Sequence, residues 1–275
     1  MSRSARQWLL LLSLIILGVV VGLLASGPLD WGKLDDARDL VSGESAKKPL
    51  RVLFVGNSYT FVNDMPLLVR RLASAAHEEL RFEAVSECPP GSSLKQHWSS
   101  GRDAALLRDG HFDWVVLQEQ SVVPSFAPAQ LETDMYPFVT RLHDAATEAG
   151  TKTLLFMTWG HEKGDLANLR RDTYDAMQTR VVAGYETIAG RLHVSIAPVG
   201  IAWRRAVHAN AGAPLWAADG IHPSPAGSYL AACVFYEALY GHTPVGDSFT
   251  GGLDGADARA LQEISADTMA QYRQP

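Results

Sequence analysis

Leu50-Arg51-Val52-Leu53-Phe54-Val55-Gly56-Asn57-Ser58 is the stretch on which the reading of this chain turns. The first six residues make a short apolar run, the pattern of a buried strand, and Gly56-Asn57 ends it in a tight turn. A serine at such a strand-to-helix turn projects its hydroxyl into the crevice beyond the strand. Its own N–H and the helix N-terminus face the same space, an arrangement that suits an oxyanion. The position also suits a serine that only caps the following helix.

Strand-like runs recur at Arg81–Ser86, Phe112–Leu117, Thr151–Thr158 and His193–Ala197. Helical spacing fills much of the rest: Pro66–Glu79, Leu131–Ala149, Asn168–Gly190, Ile201–Asn210 and Ala226–Tyr240. Gly150 and Gly241 stand where helices close. Glu87–Ser93, with Pro89, Pro90 and Gly91, reads as a loop, and His97 and Trp98 are placed in the same loop region. Strands alternating with helices predict an α/β chain: one three-layer α/β/α domain with a parallel five-stranded sheet, flavodoxin-like, over residues 49–245. A length of 275 residues suits one such domain rather than two. Residues 246–275 read as a tail with a short helix near Ala256–Tyr272. In a parallel sheet, ligands bind beyond the carboxyl ends of the strands, so the residues just after each strand carry the functional argument.

The N-terminus has a different character. Arg3 and Arg6 precede Trp8–Ala25, an apolar stretch diluted only by Ser13, Gly18 and Gly22. A core helix would show a polar face and this stretch has none, so residues 1–26 read as a signal-anchor helix or a signal peptide. Ala25-Ser26-Gly27 matches a small-residue cleavage site poorly, which favours the anchor. The preceding positive charge predicts a domain outside the membrane, in the periplasm or cell envelope, or secreted if the segment is cleaved. Residues 27–48 are polar and aperiodic, as a linker is.

Composition excludes some partners. The net charge is -6, with no basic stripe carrying interleaved aromatics, so nucleic acid is not an expected partner. Cys88 and Cys233 form neither a CxxC pair nor a zinc pattern, and sequence leaves open whether they pair with each other. No cofactor or metal is expected.

The second chemistry-bearing segment is Asp219-Gly220-Ile221-His222-Pro223-Ser224-Pro225. An aspartate three residues before a histidine, in a loop punctuated by Gly and Pro, can put both side chains on one side of the turn. The imidazole can then face Ser58 as a base while the carboxylate fixes its tautomer. An aspartate capping the last helix beside an unrelated histidine is the plainer alternative.

Taken together, the Ser58 turn and the Asp-x-x-His segment resemble the SGNH (GDSL-type) hydrolase superfamily, from about Leu50 to Tyr240. Met157-Thr158-Trp159-Gly160 and Ala197-Pro198-Val199-Gly200-x-Ala202-Trp203 resemble a secreted or envelope branch of it. The resemblance implies Ser58, Asp219 and His222 as catalytic residues. It also implies an oxyanion hole made by the Ser58 N–H, the Gly91 N–H and an amide side chain after the third strand. The family carries asparagine there, whereas this chain has Gln118-Glu119-Gln120. Register favours Gln120, proximity to the strand favours Gln118, and a glutamine amide donates the same bond on a longer arm. Glu119 between them is either buried near the site with a raised pKa or a satisfied structural carboxylate.

His161 and His97 are candidate pocket-lining residues. Trp98, Trp159, Trp203 and Trp216 are candidates for stacking on a sugar, with core packing the alternative. The expected activity is hydrolysis of a small-molecule or glycan ester, an O-acetyl group on an envelope polysaccharide among them. Acyl transfer by the same triad and a non-catalytic glycan-binding module are the other readings.

Overall fold

The computed structural model describes residues 46–272 and 274–275 and places the opening run in β1 (Pro49–Val55). β2 (Arg81–Glu87), β3 (Trp114–Leu117), β4 (Lys152–Phe156) and β5 (Ser195–Ala197) complete one sheet in the order β2-β1-β3-β4-β5. All four pairings are parallel, as the alternation of strands and helices predicts.

Side-chain alternation along each strand divides the core in two. Val52 and Phe54 join one apolar cluster, and Leu53 and Val55 join the other. Such side chains contribute about 1.5–3 kcal/mol each when fully buried. Against the first face pack α2 (Met65–Ala75), α8 (Val199–His208), α9 (Pro225–Tyr240) and α10 (Gly255–Gln271). Against the second pack α3 (Leu94–Ser100), α4 (Arg102–Gly110), α5 (Pro128–Asp134), α6 (Tyr136–Glu148) and α7 (Tyr174–Leu192). The one-turn helix α1 (Ser58–Phe61) follows β1 directly. α10 is no loose appendage, since Ala258 and Leu261 are buried in the first cluster.

Register positions the site. Val55 pairs with Glu87 on β2 and with Leu117 on β3, so the three strands end level. The segments that follow them, beginning at Gly56, Cys88 and Gln118, therefore meet at one edge. This is also where the strand order reverses direction from β1, the place where open α/β sheets bind ligands.

Several expectations change. The region holding His97 and Trp98 is not a loop but α3. Ser93 caps it in a reciprocal box with Gln96, and Gly101, at φ +70, separates it from α4. α7 begins at Tyr174, not Asn168. Thr173 caps it, and Leu169, ahead of the cap, is exposed. The helix expected over Leu131–Ala149 is broken at Met135, with Pro137 in the first turn of α6. Cys88 and Cys233 are both free thiols. The apolar stretch Trp8–Ala25 and the linker up to residue 45 lie outside the described residues. Among those described, no helix is long and apolar enough to cross a membrane.

Candidate active site

Asn57, not Ser58, caps α1: its side chain accepts from the Tyr59 N–H, at 3.1 Å. The Ser58 hydroxyl is therefore released from the capping role and turns toward the cleft beyond β1. Asn57 is held in turn by the Gln118 side chain, which accepts its N–H at 2.9 Å, and donates from Nδ2 to the Ser92 carbonyl at 2.9 Å.

The Asp219–His222 loop approaches from the other side. A short bridge between Trp216 and Pro223 closes it, and within it the Ala217 N–H donates to the His222 carbonyl at 2.8 Å. Two buried tryptophans hold this loop from below. Trp159 donates from Nε1 to the Ile221 carbonyl at 3.0 Å and stacks between Tyr59 and Trp203, at 4.4 and 4.1 Å between ring centroids. Core packing, not sugar stacking, is thus the part taken by Trp159 and Trp203. Trp216 reaches across to the Gly160 carbonyl at 3.1 Å.

Ser58 and His222, 164 residues apart, are thereby brought together. His222 Nε2 lies 3.0 Å from Ser58 Oγ, and His222 Nδ1 lies 2.6 Å from Asp219 Oδ2. Asp219 Oδ1 accepts the N–H groups of Ile221 and His222, both at 2.9 Å. The His222 hydrogen bond, aided by those two amides, holds the Asp219 carboxyl at about 2, well below its ordinary range. A carboxylate only accepts, so Nδ1 carries the proton and Nε2 presents a lone pair to the serine hydroxyl. Such an array can remove the serine proton as the oxygen attacks.

Around Ser58 lies an open cleft of about 760 Å³, lined among others by Tyr59, Phe61, Gly91, Gln120, His161 and His222. The Ser58 N–H, at the start of α1, donates to no group among the described residues. Gly91 stands at φ +71, a conformation that favours glycine. Gln120 accepts the Val122 N–H on Oε1 at 2.9 Å, which leaves its Nε2 donors for the cleft. Gln118 is wholly buried and bonded to the Ser58 turn. Its Oε1 accepts from the Asn57 N–H and the Thr60 hydroxyl, and its Nε2 donates to the Glu119 carbonyl at 2.5 Å. These bonds make Gln118 a brace under the Ser58 turn, and it is Gln120 that lines the cleft.

His161 faces the cleft, 3.2 Å from Ser121 Oγ, and burial lowers its pKa. It also borders a second cavity of about 390 Å³ that includes Lys163, Asp165, Asn168 and Asp219. His97 does not line the cleft. It is buried in α3, with Nε2 on the Gly56 carbonyl at 2.7 Å and Nδ1 on Asp103 at 3.0 Å. Among the described residues no three metal-ligating side chains converge. Glu119 is fully buried, and burial pushes its carboxyl up to about 7 against the pull of two backbone amides and His97.

No protein-family model matches the sequence, and no curated protein matches it. Solved structures do. A DUF4886 family protein from Bacteroides uniformis superposes with a TM-score of 0.71 at 18% identity, over 82% of this chain and 96% of that one. An acetylxylan esterase from Geobacillus stearothermophilus, as a catalytic mutant, gives 0.54 at 17% identity, over 72% and 97%. Both of these speak to the fold. A protein assigned to the SGNH hydrolases, from Slackia heliotrinireducens, gives 0.56 at 33% identity, over 70% of this chain and 100% of that one. That identity across a whole SGNH hydrolase, together with a serine after the first strand and Asp-x-x-His before the last sheet-packing helices, means that the chain belongs to the SGNH (GDSL-type) hydrolases, enzymes that act on ester bonds.

Proposed function

We propose that this chain is a serine ester hydrolase with Ser58 as nucleophile, His222 as general base and then acid, and Asp219 as the carboxylate that orients the ring. The reading is carried by one observation: the unbroken hydrogen-bond chain from Asp219 through His222 to Ser58, at 2.6 and 3.0 Å. Ser58 Oγ attacks the ester carbonyl carbon while its proton passes to His222 Nε2. The resulting oxyanion is held by the N–H groups of Ser58 and Gly91 and by Gln120 Nε2. His222 returns the proton to the departing alcohol, and water, activated the same way, releases the acid and frees Ser58.

Gln120→Ala should lower kcat on p-nitrophenyl acetate by about 10²–10³-fold, the usual loss for one oxyanion donor. Gln118→Ala should instead show itself mainly as lost thermal stability, because it leaves buried Asn57 and Thr60 donors unsatisfied. Steady-state kinetics and melting curves on the two variants separate these roles.

The substrate is a short acyl ester of a carbohydrate, an O-acetyl group being the first choice. Two things support it. The cleft at Ser58 is open and bordered by Tyr59, Phe61, Val62 and Ile221, while the cavity beyond His161 is bordered by the polar Glu162, Lys163, Asp165 and Asn168. The acetylxylan esterase shares the fold. The domain works outside the cytoplasmic membrane, tethered through the apolar segment Trp8–Ala25, and the support for this is Arg3 and Arg6 before that segment. An ester panel tests the substrate: acetylated xylan, acetylated peptidoglycan and p-nitrophenyl esters of increasing chain length, with Ser58→Ala as control. Acetate release from glycan with little turnover of long-chain esters is expected. Net transfer of acetyl onto added glycan would replace hydrolysis by acyl transfer.

A further inference from the structure

Three buried side chains lace together the segments that follow β1, β2 and β3. Gln118, after β3, holds the Ser58 turn through the Asn57 N–H and the Thr60 hydroxyl. His97, on α3, holds the same turn through the Gly56 carbonyl. Glu119 closes the triangle. Its Oε1 accepts the Leu94 N–H, at the start of α3, at 3.1 Å and the Gln120 N–H at 2.7 Å. Leu94 lies three residues beyond Gly91, and Gln120 carries the other candidate donor.

We propose that Glu119 is a positioning residue for the oxyanion hole, its single oxygen Oε1 setting the separation of the loops that carry Gly91 and Gln120. The inference rests on the ester-hydrolase reading above. Gln120 is pinned at both ends: its backbone N–H by Glu119 and its side-chain Oε1 by the Val122 N–H. Its Nε2 can then be aimed only as accurately as Glu119 is placed. Glu119 is itself fixed, since its own N–H donates to the Tyr185 hydroxyl at 3.2 Å.

A position that only filled space would be apolar. Here a carboxyl is wholly buried, and its second oxygen, Oε2, has no hydrogen-bond partner among the described residues. Burying such a group is unfavourable unless something is gained, and a carboxyl oxygen is the strongest available acceptor for two amides at once. The neighbouring His97 adds to this. The Gly56 carbonyl can only accept, so His97 Nε2 is protonated, and Asp103 faces the other ring nitrogen. The ring thus offers Glu119 a favourable electrostatic neighbour.

The test compares Glu119→Ala, Glu119→Asp and Glu119→Gln with wild type by kcat and KM on p-nitrophenyl acetate and by the rate of fluorophosphonate labelling of Ser58. Glu119→Ala should lower kcat by about 10²-fold with KM changed less than about twofold, and labelling should slow in parallel, because the phosphonyl oxygen needs the same donors. Glu119→Gln keeps a carbonyl oxygen at the right reach and should recover kcat to within about tenfold of wild type. Glu119→Asp, one methylene short of both amides, should not. If the alanine variant does not fold, the contrast between the glutamine and aspartate variants decides alone. Wild-type kcat in Glu119→Ala, or equal kcat in the glutamine and aspartate variants, overturns the proposal. A wild type that neither hydrolyses esters nor labels would overturn the ester-hydrolase reading and this inference with it. Normal wild-type labelling with unslowed labelling of Glu119→Ala would overturn this inference only.

Discussion

Ser58→Ala should lower kcat on p-nitrophenyl acetate by about 10⁴-fold or more and leave the fold intact. The loss is large because, among the described residues, the hydroxyl on His222 Nε2 at hydrogen-bonding distance is that of Ser58. The residual rate would come from the oxyanion donors and from binding, which the substitution does not touch. The fold should survive because Ser58 is not the cap of α1. Asn57 fills that place through its side chain, so removal of the Ser58 hydroxyl orphans no backbone donor. A stability change within about 0.5 kcal/mol is expected, as for substitutions that break no buried contact. Steady-state kinetics beside a thermal melt check both halves, and a variant that turns over normally would mean that another residue is the nucleophile.

The second large effect concerns the other two members of the array. His222→Ala should cost about 10⁴–10⁶-fold in kcat, and Asp219→Asn about 10- to 100-fold less than that. The aspartate uses both oxygens: Oδ1 accepts two backbone N–H groups and Oδ2 accepts the imidazole. In an asparagine the oxygen must stay with the two amides, so the NH₂ group faces Nδ1 and favours the wrong tautomer. Some rings still reach the correct one, hence the smaller loss. Parallel kinetics on the two variants check the order, and the reverse order would contradict the roles assigned.

Acid stability carries the same carboxylate. The folded pKa of about 2 lies below the ordinary 3.8, so the contribution of Asp219 is present above about pH 4 and is lost as pH falls toward 2. Its side chain is 46% exposed, so solvent screening keeps that contribution small.

Much of this architecture is legible in the amino-acid order, and the limits have physical causes. The strands announce themselves because a parallel sheet covered on both faces needs continuous apolar runs, and Leu53-Phe54-Val55 serves both clusters at once. The approach of Ser58 to Asp219 and His222 is legible because topology sends the ends of β1 and of the last loop to one edge. The choice between Gln118 and Gln120 is not legible from types alone. The two lie on either side of Glu119, and only the backbone path after β3 decides which enters the cleft. α3 was hidden because its sequence, Leu-Lys-Gln-His-Trp-Ser-Ser, has little apolar periodicity. The Ser93 and Gln96 capping box was the one local signal for it. The part played by Trp159 and Trp203 is equally non-local, since a buried stack behind the Asp219–His222 loop depends on four separate chain segments meeting.

The hydroxyl at position 58 is made nucleophilic by its two partners, His222 and Asp219. Fluorophosphonate treatment of the wild-type protein, followed by peptide mass spectrometry, reads this activation out at the residue itself. A single covalent adduct on the peptide containing Ser58, absent from Ser58→Ala and strongly slowed in His222→Ala, is the expected result. An adduct on a different residue, or an unlabelled wild-type protein, would contradict it.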